Sequence, residues 1–205
     1  MYIIGLTGGI ASGKSSVSNI LKEEFNAHII DLDIIAREVV KKDCLAYKDI
    51  IDFFGTQILK EDGEIDRKKL GEIVFSDLDA KKKLEDITHF RILEKVEELI
   101  AVSKKEQQKL IFLDSPLLIE TNWHTKVNDV WLVYVDFETQ ISRLIKREDI
   151  SYEDALKRIQ SQLPLEEKTK YANIIINNNG SLEETKKQVL AFYKNTYNLI
   201  KNKNL

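Results

Sequence analysis

The stretch Gly8-Gly9-Ile10-Ala11-Ser12-Gly13-Lys14-Ser15 constrains this chain more than any other, because it fits the spacing G-x-x-x-x-G-K-[ST]. It follows a short apolar β-favouring run, Tyr2 to Leu6. It precedes Val17, Ile20, Leu21 and Phe25, which recur at helical spacing and predict a helix from about Gly13 to Phe25. A strand that turns through glycines directly into a helix gathers backbone N–H groups into a nest at the positive end of the helix dipole. That pattern is the phosphate-binding P-loop. In it Lys14 reaches the β- and γ-phosphates of a nucleotide and the Ser15 hydroxyl ligates magnesium. Lys14 is the only charged side chain between Met1 and Leu21. Carboxylates there would repel the anion, and further charges would crowd the nest.

The rest of the chain alternates in the same way. Ala27–Asp31, Lys109–Asp114, Asp129–Val135 and Asn173–Asn177 are apolar runs. Runs this apolar predict strands covered on both faces, an α/β fold with a parallel sheet and crossover helices. Two helical stretches interrupt the alternation, one from about Ile34 to Gln108 and one from Gln140 to Tyr171. A last helix from about Ser181 carries Leu182, Val189, Phe192, Thr196 and Ile200 as its expected inner stripe.

Composition narrows the function classes. Lys plus Arg number 31 and Asp plus Glu 34, a formal charge of −3. That balance argues against a nucleic-acid binder. No stretch approaches the apolar length of a membrane span, and MYIIGLTGG lacks the basic start of a signal peptide. The single Cys44 excludes a disulfide framework and fits a reducing compartment, so a cytoplasmic protein without a membrane or obligate protein partner is expected.

Several further residues carry chemistry in one reading and structure in another. Asp114 ends an apolar strand, where a carboxylate can join the magnesium shell or cap the following turn. Asp31 and Asp33 follow the second strand, where an acid can accept the proton of an attacking hydroxyl or cap the next helix. Arg143 and Arg147 stand one helical turn apart, able to clamp a migrating phosphate or to face solvent. His28, His89 and His124 lack metal-ligand spacing, and Trp123 and Trp131 read as packing residues.

Taken in order, these segments resemble the dephospho-CoA kinases. GLTGGIASGKSS is similar to that family's opening loop and IIDLDIIAREVV to its aspartate-bearing segment. GEIDRKKLGEIVF (63–75) and LEDITHFRI (84–92) resemble its helical substrate domain. DSPLLIE, QISRLIKR, RIQSQLPLEEK and IIINNNGSLEE continue the likeness over nearly the whole chain. The resemblance implies a P-loop kinase core at 1–33 and 109–205, a helical CoA-substrate insertion at 34–108 and a lid at 140–171. It also implies transfer of a phosphoryl group from ATP, with Mg2+, to the ribose 3′-hydroxyl of dephospho-CoA.

By the same resemblance Asp33 faces the acceptor hydroxyl, while Lys14 and Arg143 stabilise phosphoryl charge. Gly9, Ile10, Ala11, Ser12, Gly13, Lys14, Ser15, Ser16, Arg147 and Asn177 fall to the nucleotide. Thr7, Asp33, Arg37, Leu70, His89 and Pro116 fall to the substrate, and Ser15 and Asp114 to the metal. The chain departs from the family pattern at Ala11, where a glycine is common, and the alanine requires a negative φ there. Phe90 stands in place of a proline, and Asn173 and Asn178 in place of acidic residues. Another small-molecule kinase is the nearest alternative. A regulatory GTPase would carry an N-K-x-D segment after a late strand, which the chain lacks.

Overall fold

The five apolar runs form one five-stranded sheet: β1 (Tyr2–Gly8), β2 (His28–Asp31), β3 (Leu110–Asp114), β4 (Asp129–Tyr134) and β5 (Ile174–Asn177), in the order β2-β3-β1-β4-β5. The computed structural model describes residues 1–202. β1 pairs in parallel with β3 on one side and β4 on the other, and β4 pairs in parallel with β5. β1 runs on to Gly8, beyond its expected end at Leu6, because Thr7 and Gly8 still pair with Leu132 and Val133. Chain connections diverge on either side of β1, and in open α/β sheets ligands bind beyond the carboxyl ends of strands at such a point. The register sets Leu6 opposite Asp114, the last residue of β3, so the carboxyl ends of both strands lie at the same edge, with β1 running two residues further.

One sheet face is sealed by α1 (Lys14–Phe25) and α9 (Leu182–Asn202). Ile4, Leu6, Val17, Leu21, Phe112, Trp131, Val133 and Val189 form its buried centre, and Phe25 stacks on Tyr193 at 3.8 Å between ring centroids. Trp131 is a core residue, fully buried. The inner stripe of α9 is Thr185, Val189, Thr196 and Ile200, with Phe192 packed against the core. Leu182 does not belong to it: it opens the helix and is 62% exposed. Its turn is instead organised by Ser181 and Glu184, which bond each other's backbone N–H groups as a capping box.

The second helical stretch becomes α6 (Phe137–Glu148), α7 (Tyr152–Gln160) and the short α8 (Leu165–Lys168). Ile141, Leu144, Ala155 and Ile159 hold α6 to α7, and Ile10 and Ala11 of the glycine loop pack on that cluster. The lid segment is therefore seated on the loop it is expected to cover.

The chain divides into two compact units, residues 1–30 with the chain from Ser103 onward, and Asp31–Val102. The division falls ahead of the expected limits of 33/34 and 108/109, so Asp31 and Asp33 belong to the second unit. That unit holds α2 (Leu32–Glu38), α3 (Leu45–Phe54), α4 (Arg67–Ser76) and α5 (Leu78–Lys105), the last running three residues past its limit. It is not wholly helical, since Leu59 and Ile65 form an antiparallel bridge. Ile50, Phe54, Ile58, Leu70 and Ala80 make its core. Arg91 on α5 bonds Asp49 of α3 at 2.7 Å and Glu94 at 2.7 Å, and these carboxylates raise its pKa further. No helix among the described residues is long and apolar enough to cross a membrane.

Candidate active site

The glycine loop joins β1 to α1 in the shape its composition requires. Gly13 caps α1 with φ +87°, and a Cβ there would run into the Asn178 amide, so only glycine fits. No side chain caps α1, and its first turn carries no acid. The N–H groups of Lys14 and Ser15 therefore open the helix without a side-chain competitor for an anion. Ser12 is fully buried with its hydroxyl unbonded, folded back towards Gly8. Ser15 is exposed at the helix start and Ser16 half-buried.

Ala11 contradicts the expectation of a negative φ: it stands at +58°, in the left-handed region. The loop's path fixes that backbone whichever residue occupies it, and packing of Ala11 on the α6–α7 cluster offsets part of the cost.

Asp114 is 3% exposed, and both its oxygens turn to α1 rather than to the following turn. One pairs with the Lys14 ammonium and the other accepts from the Ser18 hydroxyl at 2.5 Å. Ser115 takes the turn instead, accepting from Leu117 N–H. No group of three His, Cys, Asp or Glu side chains that could hold a metal occurs among the described residues. Ser15 and Asp114, the residues expected at a magnesium ion, are both oxygen donors. That donor set suits magnesium, which keeps its waters and takes phosphate oxygens from its nucleotide.

Four residues to which neither spacing nor the resemblance gives a role in the loop hold it in place. Gln162 accepts from Ile10 N–H at 2.8 Å and Gln140 donates to Ile10 C=O at 2.9 Å, so both backbone groups of Ile10 are pinned from the lid segment. Asn178 donates to Ser12 C=O at 2.8 Å and accepts from the Thr185 hydroxyl at 2.6 Å. An aspartate at 178 could not make the first bond. Lys168, fully buried, bonds Pro116 C=O at 2.6 Å and Gly8 C=O at 3.5 Å and pairs with Glu120 at 2.9 Å. Burial pushes its pKa down, and Glu120 opposes that. None of these roles follows from spacing. Four of these seven contacts join residues more than 100 apart; the Asn178–Thr185, Lys168–Pro116 and Lys168–Glu120 contacts are shorter in sequence.

Among the other expected residues, the Arg143 guanidinium reaches the loop, with Nη1 3.9 Å from where a Gly13 Cβ would sit. Arg147 does not share this placement: it is 54% exposed and paired with Glu148, which also pairs with Arg158. Thr7, fully buried, donates to Pro116 C=O at 3.4 Å, so these two expected substrate residues meet. Asn177 is exposed, with its side-chain oxygen accepting from Asn179 N–H.

In the second unit, Asp31 resolves the capping ambiguity. Its carboxylate accepts from the N–H groups of Asp33 and Ile34, leaving Asp33 exposed in the first turn of α2. Asp33 lines a recess with Ala36, Arg37, Val40 and Arg67. Arg37, Val40 and Arg67 also line a cleft of about 450 Å³ that adds Lys41, Lys42 and the apolar Ile50, Ile65, Leu70 and Leu84. Its lining thus mixes four cations and one carboxylate, Glu64, with aliphatic side chains. Arg37 and Leu70 were expected at such a site; Lys41, Lys42 and Arg67 were not. His89 is exposed on α5 and does not line the cleft, although its neighbour Thr88 does.

Comparison with known proteins gives the family. A model of the dephospho-CoA kinase family matches residues 2–184. A dephospho-CoA kinase of Geobacter metallireducens is 45% identical over 194 residues, 95% of this chain and 96% of the relative. One of Bacillus cereus is 47% identical over 198 residues, 97% and 98% of the two chains. Among solved structures, a dephospho-CoA kinase from Campylobacter jejuni superposes with a TM-score of 0.70 at 32% identity, covering 94% of this chain and 95% of its own. A shikimate kinase from Acinetobacter baumannii, at 14% identity and a TM-score of 0.53, shares the fold alone over 97% and 94% of the chains. The chain belongs to the dephospho-CoA kinase family.

Proposed function

We propose that this chain transfers the γ-phosphoryl group of ATP to the ribose 3′-hydroxyl of dephospho-CoA, forming CoA and ADP, the last step of CoA biosynthesis. The observation that carries this reading is the family match over residues 2–184, within which the loop lysine, the strand-end aspartate and Asp33 in the first turn of α2 are all present.

The chemistry falls to named groups. The nest from Gly9 to Ser16 holds the ATP phosphates, with Lys14 on the β- and γ-oxygens. Ser15 and Asp114 would hold magnesium, which would neutralise charge on the phosphates. Asp33 orients the 3′-hydroxyl and accepts its proton as the new P–O bond forms and the bond to the β-phosphate bridging oxygen breaks. Arg143 spreads its charge over the transferring group. Arg37, Arg67 and the lysines of the second-unit cleft take the phosphates of the acceptor, and Leu70 borders its pantetheine arm. The lid segment excludes water, which would otherwise receive the phosphoryl group.

An assay of ADP release with dephospho-CoA, adenosine and nucleoside monophosphates as acceptors tests this reading. Release that depends on dephospho-CoA is expected. Release with a monophosphate and none with dephospho-CoA would move the chain to another kinase activity.

A further inference from the structure

Lys168 has no part in the chemistry above, yet it is fully buried beside the phosphate loop. Its ammonium is hydrogen-bonded on all sides. It reaches Pro116 C=O at 2.6 Å, Glu120 Oε1 at 2.9 Å and Gly8 C=O at 3.5 Å, three acceptors for three N–H donors. A buried ammonium is expensive to desolvate, and an apolar side chain of similar length would fill the space at lower cost. What the ammonium adds is direction.

Gly8 is the first residue of the loop. A nest that binds anions needs its N–H groups turned inward and its carbonyls turned away, and the Gly8 carbonyl lies 3.5 Å from the Lys168 ammonium, at the long end of hydrogen-bond distance. The same ammonium holds the Pro116 carbonyl, on which Thr7 also closes at 3.4 Å. Glu120 accepts from Leu163 N–H at 3.0 Å with the oxygen that meets Lys168. The residue before it, Gln162, bonds Ile10 N–H. The connector between α7 and α8 is thereby tied to both ends of the segment Gly8–Ile10.

We propose that Lys168, paired with Glu120, is a positioning residue for nucleotide binding and phosphoryl transfer, fixing the start of the phosphate loop against the Pro116 segment and the lid connector. It touches no substrate and acts through the backbone of Gly8 and Pro116. The proposal rests on the kinase reading above for its turnover measurement. Its affinity measurement stands without knowledge of the acceptor.

The test compares the full-length chain with Lys168→Met, Lys168→Arg and Glu120→Gln. Calorimetric titration gives the Kd for magnesium ATP, and steady-state kinetics give kcat and both KM values. Lys168→Met is expected to weaken ATP binding and lower kcat, each about tenfold or more, as for deletion of a buried hydrogen-bonded charge. KM for dephospho-CoA should rise several-fold less than the Kd for ATP, because the cleft in the second unit is untouched and Lys168 meets only the backbone of Pro116. Lys168→Arg should recover most of the loss, since guanidinium also offers several donors. ATP affinity and kcat within about twofold of the parent in Lys168→Met, or equal losses for both substrates, would overturn the proposal.

Should Lys168→Met fail to fold, Glu120→Gln serves instead, because its side chain is 24% exposed and its amide keeps an oxygen for both donors. The same split is expected there at about three- to tenfold, and unchanged ATP affinity would overturn the proposal as well. A parent chain without dephospho-CoA-dependent turnover, but with weakened ATP binding in Lys168→Met, would remove the acceptor assignment and leave this inference standing.

Discussion

Ala11 shows how a single position can carry the cost of a functional loop. At φ +58° its methyl is held in a region that disfavours L-residues by about 1–2 kcal/mol, while its packing on the α6–α7 cluster returns part of that. Ala11→Gly should therefore stabilise the fold by up to about 1 kcal/mol, raising Tm by roughly 2–4 °C. A lower Tm would show that the methyl contact outweighs the backbone relief. The two lid arginines should separate in the same way. Arg143→Ala, beside Gly13, is expected to lower phosphoryl transfer by about 10²–10³. Arg147→Ala, exposed and paired with Glu148, should change it less than about threefold, as surface ion pairs contribute little. Equal effects in steady-state assays would contradict the placement. The places of Lys14 and Ser15 at the start of α1 were legible because a motif ties them to a strand and a helix, and that of Asp114 because it closes an apolar run. Lys168 and Asn178 were not, because their meaning lies in carbonyls of Gly8 and Ser12 reached only by the folded chain.

Strands and helices were readable to within a few residues, since apolar runs and helical periodicity report burial directly. Their ends were less so. β1 extends to Gly8 through pairing with β4, and the first turn of α9 exposes Leu182 because Ser181 and Glu184 determine how the helix begins. The start of β1 makes a further prediction. The Tyr2 hydroxyl donates to Asp129 at the beginning of β4 at 2.8 Å, and burial together with that carboxylate pushes its pKa up to about 12. Below pH 10 both folded and unfolded chains keep this proton. As pH rises from 10 towards 12 the unfolded chain ionises first, so this contribution to stability is progressively lost. Tyr2→Phe should flatten the fall in unfolding free energy over that interval, measured by urea titration at successive pH values. An unchanged slope would mean that Tyr2 does not titrate with unfolding.

A net charge of −3 says little about a protein whose proposed ligands are polyanions. The positive charge is local: Lys14 and Arg143 stand at the phosphate loop in one unit, and Arg37, Lys41, Lys42 and Arg67 gather about the cleft in the other. The family resemblance picked out Arg143, and the sequence pattern exposed Lys14 through its motif. It hid much of the second, because Lys41, Lys42 and Arg67 lie in amphipathic stretches where charge ordinarily faces solvent, and only the fold of Asp31–Val102 draws them together. Asp33 likewise could have been a helix cap until Asp31 took that role. The most direct test of the whole account is a single-turnover experiment with γ-labelled ATP and dephospho-CoA, comparing the parent chain with Asp33→Asn. The parent should place the label on the ribose 3′-oxygen. The variant should bind ATP with unchanged affinity while transfer falls by about 10²–10⁴. Label recovered only as inorganic phosphate in the parent, or transfer at near-parent rate in Asp33→Asn, would contradict it.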